Sequence, residues 1–224
     1  MGERVAEMGI GNPLIVTDNG SAGLPFIGGL QKSLADAGVA SEVFSDVPPN
    51  PRDEDIAQSR LQYLAGHHDG VIAIGGGSGM DAGKATALTA HNDRGLWQFD
   101  FDREVPELPP EHYFPPLVCV PTTAGTGAET ESTAMVTDTD RGMKLCVWHP
   151  QLKPSLTLLD PEVTVGLPSS LTAWTGVDAL VHAIEAFCVP VYHPMCDGIA
   201  LEALGLIGRY LSLVVKEPQN LAAR

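Results

Sequence analysis

The chain has 224 residues, enough to bury a core of its own, with 44% hydrophobic and 18% charged residues, the balance of a folded globular protein. Thirteen basic against 28 acidic residues give a net charge of −15, which argues against nucleic acid or an anionic membrane surface as a partner. It does not argue against a dinucleotide, whose phosphates can be held locally by backbone amides.

In chain order, Pro13–Asp18 is a short apolar run ending in polar residues, the pattern of a buried parallel strand. A helix is predicted over Leu24–Ala37, closed by Gly38. Ser41–Phe44 reads as a second strand, Pro48–Pro51 as a rigid loop, and Arg52–Ala65 as a helix ended by Gly66. Gly70–Ile74 is a third strand that runs straight into the glycine cluster Gly75-Gly76-Gly77-Ser78. Strand, helix, strand, helix, strand predicts a parallel α/β sheet.

Asn92–Pro116 is a Pro- and acid-rich loop without periodicity, and Leu117–Val120 resumes the sheet. Thr133–Thr137 and Met143–Val147 flank a turn and predict an antiparallel hairpin; Ser155–Leu159 is one more short strand. After Pro168 the pattern becomes helical, over Leu171–Phe187 and Met195–Val215. The expected organisation is an α/β dinucleotide-binding domain over 1–167 and the beginning of a helical metal-binding domain over 168–224.

The four cysteines form no C-x-x-C and sit in apolar surroundings, so buried free thiols are expected. The N-terminal residues lack an apolar signal core, and no apolar run is read as membrane-spanning, which together predict a cytoplasmic protein.

Three segments carry chemistry. Gly75–Lys84 follows a strand and opens a helix, where glycines let backbone amides approach a pyrophosphate and Ser78 can cap the helix or donate to phosphate. A Walker A loop would need Gly at 78 and Ser or Thr at 85, where the chain has Ser78 and Ala85. A Rossmann G-x-G-x-x-A fits Gly77, Gly79 and Ala82 only in an arbitrary register. Pro121-Thr-Thr-Ala-Gly-Thr126-Gly-Ala-Glu129 is the second segment. In the third, Thr175–Phe187, Asp178 and His182 stand four residues apart on one helical face, so both can point at one metal ion.

In this order the three motifs resemble those of the iron-dependent (group III) alcohol dehydrogenases, from about Val16 to the end of the chain. The resemblance implies a Rossmann-like α/β domain that binds NAD, with Gly76, Gly77, Ser78 and Asp81 at the pyrophosphate. It further implies Thr122, Thr123 and Thr126 along the cofactor cleft, and Lys144 near the cofactor. Asp18 matches the position that discriminates NAD from NADP. A carboxylate there accepts from ribose hydroxyls and repels a 2′-phosphate, so NAD is expected.

Asp178 and His182 match the first two ligands of a divalent iron, and one carboxylate with imidazoles also suits zinc. In the family two later histidines complete the set. The sequence ends before that region, so the resemblance is to a C-terminally truncated member. His193 falls where the family has no ligand and reads as a helix-entry residue, while His67, His68, His91, His112 and His149 read as surface histidines.

The implied reaction is hydride transfer between NAD and a small primary alcohol or aldehyde. The alternatives are a catalytically silent NAD-binding fragment, and the chemistry of glycerol dehydrogenases or dehydroquinate synthases. An edge strand and uncovered apolar helix faces also raise the expectation of a homo-oligomer.

Overall fold

The computed structural model describes residues 1–92, 94–109 and 113–224, so His112 lies outside the described residues. The chain divides into two compact units. Residues 1–121 and 128–159 form the first, and residues 122–127 and 160–224 form the second.

The first unit is built on five parallel strands. They are β1 (Pro13–Val16), β2 (Glu42–Phe44), β3 (Gly70–Gly75), β4 (Leu117–Pro121) and, after the hairpin described below, β7 (Leu156–Thr157), in the order β2-β1-β3-β4-β7. Every residue of β1, β3 and β4 is buried, as expected of strands covered on both faces. Their side chains alternate between two cores. Leu14, Val16, Val71, Ala73, Leu117 and Cys119 pack with α3 (Asp53–Ala65) and α4 (Gly77–Thr89). Ile15, Ile72, Ile74, Val118 and Val120 face the opposite way, with Val5 of α1 (Gly2–Glu7) and Ile27, Leu30 and Leu34 of α2 (Pro25–Asp36).

The expected strands and helices of this unit are present, with ends shifted by a residue or two. Sequence reading passed over α1, which is too short to show a period, and a 3-10 turn at Leu96–Phe99 inside the supposed structureless loop. That turn is there because Phe99 is needed in the core, where it is 1% exposed.

The hairpin β5 (Thr133–Asp138) and β6 (Met143–Trp148) pairs antiparallel as predicted, with Thr137 opposite Lys144 and Met135 opposite Cys146. Its inward residues Ala134, Val136 and Val147 join the α3/α4 core. The Thr137 amide donates to the Pro51 carbonyl at 2.8 Å, which docks β5 on the proline-rich loop.

The second unit is helical, with α5 (Ser169–Cys188) and α6 (Pro194–Lys216) packed on each other. Gly176 lets Leu211 seat against α5: a Cβ there would lie 2.2 Å from Leu211 Cδ1. Few side chains of this unit are buried. Trp174, Val177, Val181, Ile184 and Phe187 on α5, and Met195, Ile199 and Leu201 on α6, are exposed.

Three expectations are corrected here. The α6 helix, with mean hydropathy 1.6 over its most apolar window, is long and apolar enough by length and composition to cross a membrane. Between Asp197 and Lys216 the only charges in the 18-residue stretch are Glu202 and Arg209. Of the cysteines only Cys119 is buried; Cys146 is partly so, while Cys188 and Cys196 are exposed on the uncovered helices. His68 and His149 are buried rather than superficial, His68 with Nδ1 on the Asn12 carbonyl at 2.9 Å and His149 accepting from the Gln151 amide at 3.2 Å.

Candidate dinucleotide and metal sites

In a sheet of order β2-β1-β3-β4-β7, chain connections leave β1 and β3 in opposite directions, and the crevice beyond their carboxyl ends is where such folds take a ligand. Asp18 stands at the end of β1 and Gly75 at the end of β3. These residues, 57 apart in sequence, are packed together. A Cβ on Gly75 would lie 2.7 Å from Asp18 Oδ2, and Gly75 also has φ +145°, which a side chain rarely tolerates. A Cβ on Gly79 would lie 2.8 Å from the Ile74 carbonyl and 3.3 Å from Asp18 Oδ2. The Asp18 carboxylate is held by the Ser21 amide and hydroxyl, both at 2.9 Å. Beside it the Thr17 hydroxyl is buried with no partner among the described residues.

The α4 N-terminus opens at this place. Gly76 is its N-cap and no side chain caps it, so the first-turn amides are available to an anion. Ser78 does not cap the helix. Its Oγ accepts from the Asn50 amide at 3.2 Å. Asn50, in the left-handed region at φ 59° between two prolines, also accepts from Lys144 Nζ through Oδ1 at 3.1 Å. Sequence reading treated Pro48–Pro51 only as a rigid loop. The signal it passed over is an asparagine, after glycine the residue that best tolerates this backbone, fixed between prolines that hold it there. Gly76, Gly77, Ser78, Asn50 and Lys144 are therefore neighbours, and Lys144 is an exposed cation beside an uncapped helix start. An uncapped N-terminus, a glycine cradle and a carboxylate at the switch point fit a dinucleotide.

Asp81 is placed differently. It is 8% exposed, buried where α4 packs against β5. Burial pushes its pKa up to about 6, against the opposing pull of the Met135 backbone and of the Lys144 and Lys84 charges. Lys84, fully buried one turn further along α4, donates to the Ala128 carbonyl at 2.5 Å, and burial lowers its pKa.

In the second unit Thr122 is buried and Thr123 and Thr126 are partly exposed. Their segment lies against α5, where a Cβ on Gly125 would meet the Thr175 carbonyl at 2.6 Å. One turn further along α5, His182 Nε2 lies 3.9 Å from Asp178 Oδ1, and both side chains are about half exposed (48% and 46%). An imidazole nitrogen and a carboxylate oxygen on adjacent turns suit a divalent iron or zinc as two of its donors. Among the described residues, no group of three or more histidines, cysteines or acids is assembled around a common point. His193 caps α6 by accepting from the Cys196 amide at 3.3 Å, in keeping with its helix-entry reading.

Comparison with known proteins places this geometry. A family model described as iron-containing alcohol dehydrogenase matches residues 1–161, and one described as the C-terminal part of the same family matches residues 172–224. Choline dehydrogenase of Bacillus subtilis (strain 168) is 35% identical over 223 residues, spanning 100% of this chain and 55% of that protein. NAD-dependent methanol dehydrogenase of Bacillus methanolicus is 34% identical over 224 residues, 100% of this chain and 58% of that one. Among solved structures, a 1,3-propanediol oxidoreductase superposes with a TM-score of 0.93 at 33% identity, covering 100% of this chain and 57% of the other. A sulfoacetaldehyde reductase from Bifidobacterium kashiwanohense in complex with NAD+ superposes with a TM-score of 0.88 at 31% identity, covering 100% and 58%. The chain spans a little over half the length of these relatives.

Proposed function

The chain belongs to the iron-containing alcohol dehydrogenase family, and from that premise we propose that it binds NAD and serves hydride transfer between NAD and a small primary alcohol or aldehyde. The observation that carries the reading is the Asp18 carboxylate lying over the Gly75–Gly79 turn at the switch point of the sheet. When bound, NAD supplies the hydride acceptor, and a divalent metal supplies the Lewis acid that acidifies an alcohol or polarises a carbonyl.

The chain's own residues do the rest. Asp18, pre-oriented by Ser21, accepts from ribose hydroxyls and repels a 2′-phosphate, which favours NAD over NADP. The amides at Gly76, Gly77 and Ser78 receive the pyrophosphate at the α4 N-terminus, with Asp81 in the same motif and Lys144 adding positive charge. Thr122, Thr123 and Thr126 offer hydroxyls to the cofactor. Asp178 and His182 hold the metal, iron by family with zinc as the alternative. We place the functional boundary near Pro168, between the nucleotide-binding part and the helical, metal-binding part. The negative charge fits a small neutral substrate and a cytoplasmic setting.

NADH fluorescence titration of the chain, in competition with NADPH, tests this. NADH should bind the more tightly, and Asp18→Gly should narrow the ratio; an unchanged ratio removes Asp18 from the ribose site. The alternative reading is an NAD-binding chain without turnover. Metal-dependent reduction of NAD by a primary alcohol separates the two.

A further inference from the structure

Lys84 belongs to the α4 motif but takes no part in the chemistry proposed above. Its side chain is fully buried, and its ammonium donates to a backbone carbonyl, that of Ala128. Burying an ammonium group is costly, and a methionine of similar length would fill the same space without that cost. The cation is therefore explained by what it holds rather than by what it packs.

Ala128 closes the threonine segment, which leaves β4 at Pro121. The close is fixed at three successive residues. Gly127 turns the chain in the left-handed region at φ 67°. The Ala128 carbonyl is taken by Lys84 from α4, and the Glu129 carbonyl by the Thr157 hydroxyl of β7 at 2.9 Å. At its other end the segment is tied by β4, whose Pro121 stands opposite Gly75 of β3.

Sheet order decides which part of a dinucleotide this concerns. Asp18 follows β1, the glycine turn ends β3, and the threonine segment follows β4, in the order β1-β3-β4 across the sheet. With the adenosine ribose at Asp18 and the pyrophosphate at the α4 start, the nicotinamide half falls to the residues after β4. We propose that Lys84 is a positioning residue, with Thr157 as the second anchor. The two side chains hold the carbonyls of Ala128 and Glu129 and so set Thr123 and Thr126 for the nicotinamide half. This rests on the dinucleotide reading above.

Lys84→Met and Thr157→Val, each close in size to the residue replaced, remove one anchor apiece. The test is the affinity of each variant for NADH and for ADP, which carries the adenosine ribose and two phosphates but no nicotinamide. Losing one anchoring hydrogen bond should weaken NADH roughly fivefold or more and leave ADP within about twofold of the wild type. Deuterium exchange of the amides over 122–128 should also quicken. A role confined to stability would lower Tm and leave the ratio of NADH to ADP affinity unchanged. That result in the folded variants, or an equal loss for both ligands, overturns the positioning role and leaves the dinucleotide reading intact. Should Lys84→Met fail to fold, Thr157→Val, at a partly exposed site, decides alone. A wild-type chain that binds neither NADH nor ADP overturns the dinucleotide reading, and this inference falls with it.

Discussion

Gly83 and Gly28 are both interior helix glycines, and the same substitution to alanine should move stability in opposite directions. Gly83 lies where α4 crosses β3. A Cβ there would stand 2.4 Å from the Ala73 Cβ, 3.0 Å from its Cα and 3.6 Å from the Val16 Cβ. Carbon atoms in contact prefer roughly 3.5–4.0 Å, so helix and strand must separate by about 1 Å or more. Ala73 cannot yield, since its methyl has no rotamer to change and β3 is hydrogen-bonded on both sides. Overpacking of this kind costs about 1–3 kcal/mol, here towards the upper end, against a gain of about 1 kcal/mol from the helix preference of alanine over glycine. Gly83→Ala should therefore lose about 1–2 kcal/mol, a fall of roughly 2–8 °C in Tm for a chain of this size.

Gly28 on α2 is exposed, with nothing within 4 Å of the added methyl, so only the gain of about 1 kcal/mol remains. Thermal unfolding followed by circular dichroism measures both variants. The double change Ala73→Gly with Gly83→Ala, which removes the closest clash, should recover part of the loss. A Gly83→Ala protein as stable as the wild type, or a double variant no better than the single one, would refute the packing argument.

Asp81 has a stability consequence of its own. Its folded pKa is raised from 3.8 to about 6, so the folded state holds the proton more tightly than the unfolded chain does. Its favourable contribution is full below the unfolded pKa and disappears as pH rises through about 6, a change of about 3 kcal/mol at most. Asp81→Asn should accordingly raise Tm at pH 8 and leave it nearly unchanged at pH 4; equal shifts at both would count against the buried charge. His182→Ala should weaken binding of Fe2+ or Zn2+ at least tenfold by titration calorimetry, and an unaltered affinity would remove the residue from the metal site. Thiol labelling should find Cys188 and Cys196 reacting fast. Cys119, buried and with its pKa pushed up to about 12, should stay unmodified until unfolding. Fast labelling of Cys119 would mean that the α4 side of the sheet opens readily.

Features set by near neighbours could be read directly from the residues. The unbroken apolar runs Leu14–Val16, Val71–Ile74 and Leu117–Val120 can only be strands covered on both faces, and such strands need helices between them. The glycines after β3 announce a strand-to-helix turn, and the spacing of Asp178 and His182 puts them on one helical face. Misreadings arose where the deciding partner is remote. His68 and His149 are polar and lie between elements, yet both are buried by chain that arrives from elsewhere. Cys188 and Cys196 sit in apolar surroundings by sequence, yet lie on helix faces that no other described element covers.

Periodicity and turn chemistry act over a few residues, so the sequence by itself determined the order and type of the elements and the motifs they carry. Tertiary structure alone decided which of two interior helix glycines is indispensable, because that depends on the 2.4 Å left beside Ala73. It likewise decided that Asp18 meets Gly75 and that Asn50 joins Ser78 to Lys144. Those pairs are 28 to 94 residues apart, and only close packing of the sheet, its helices and the hairpin brings them within reach of one another.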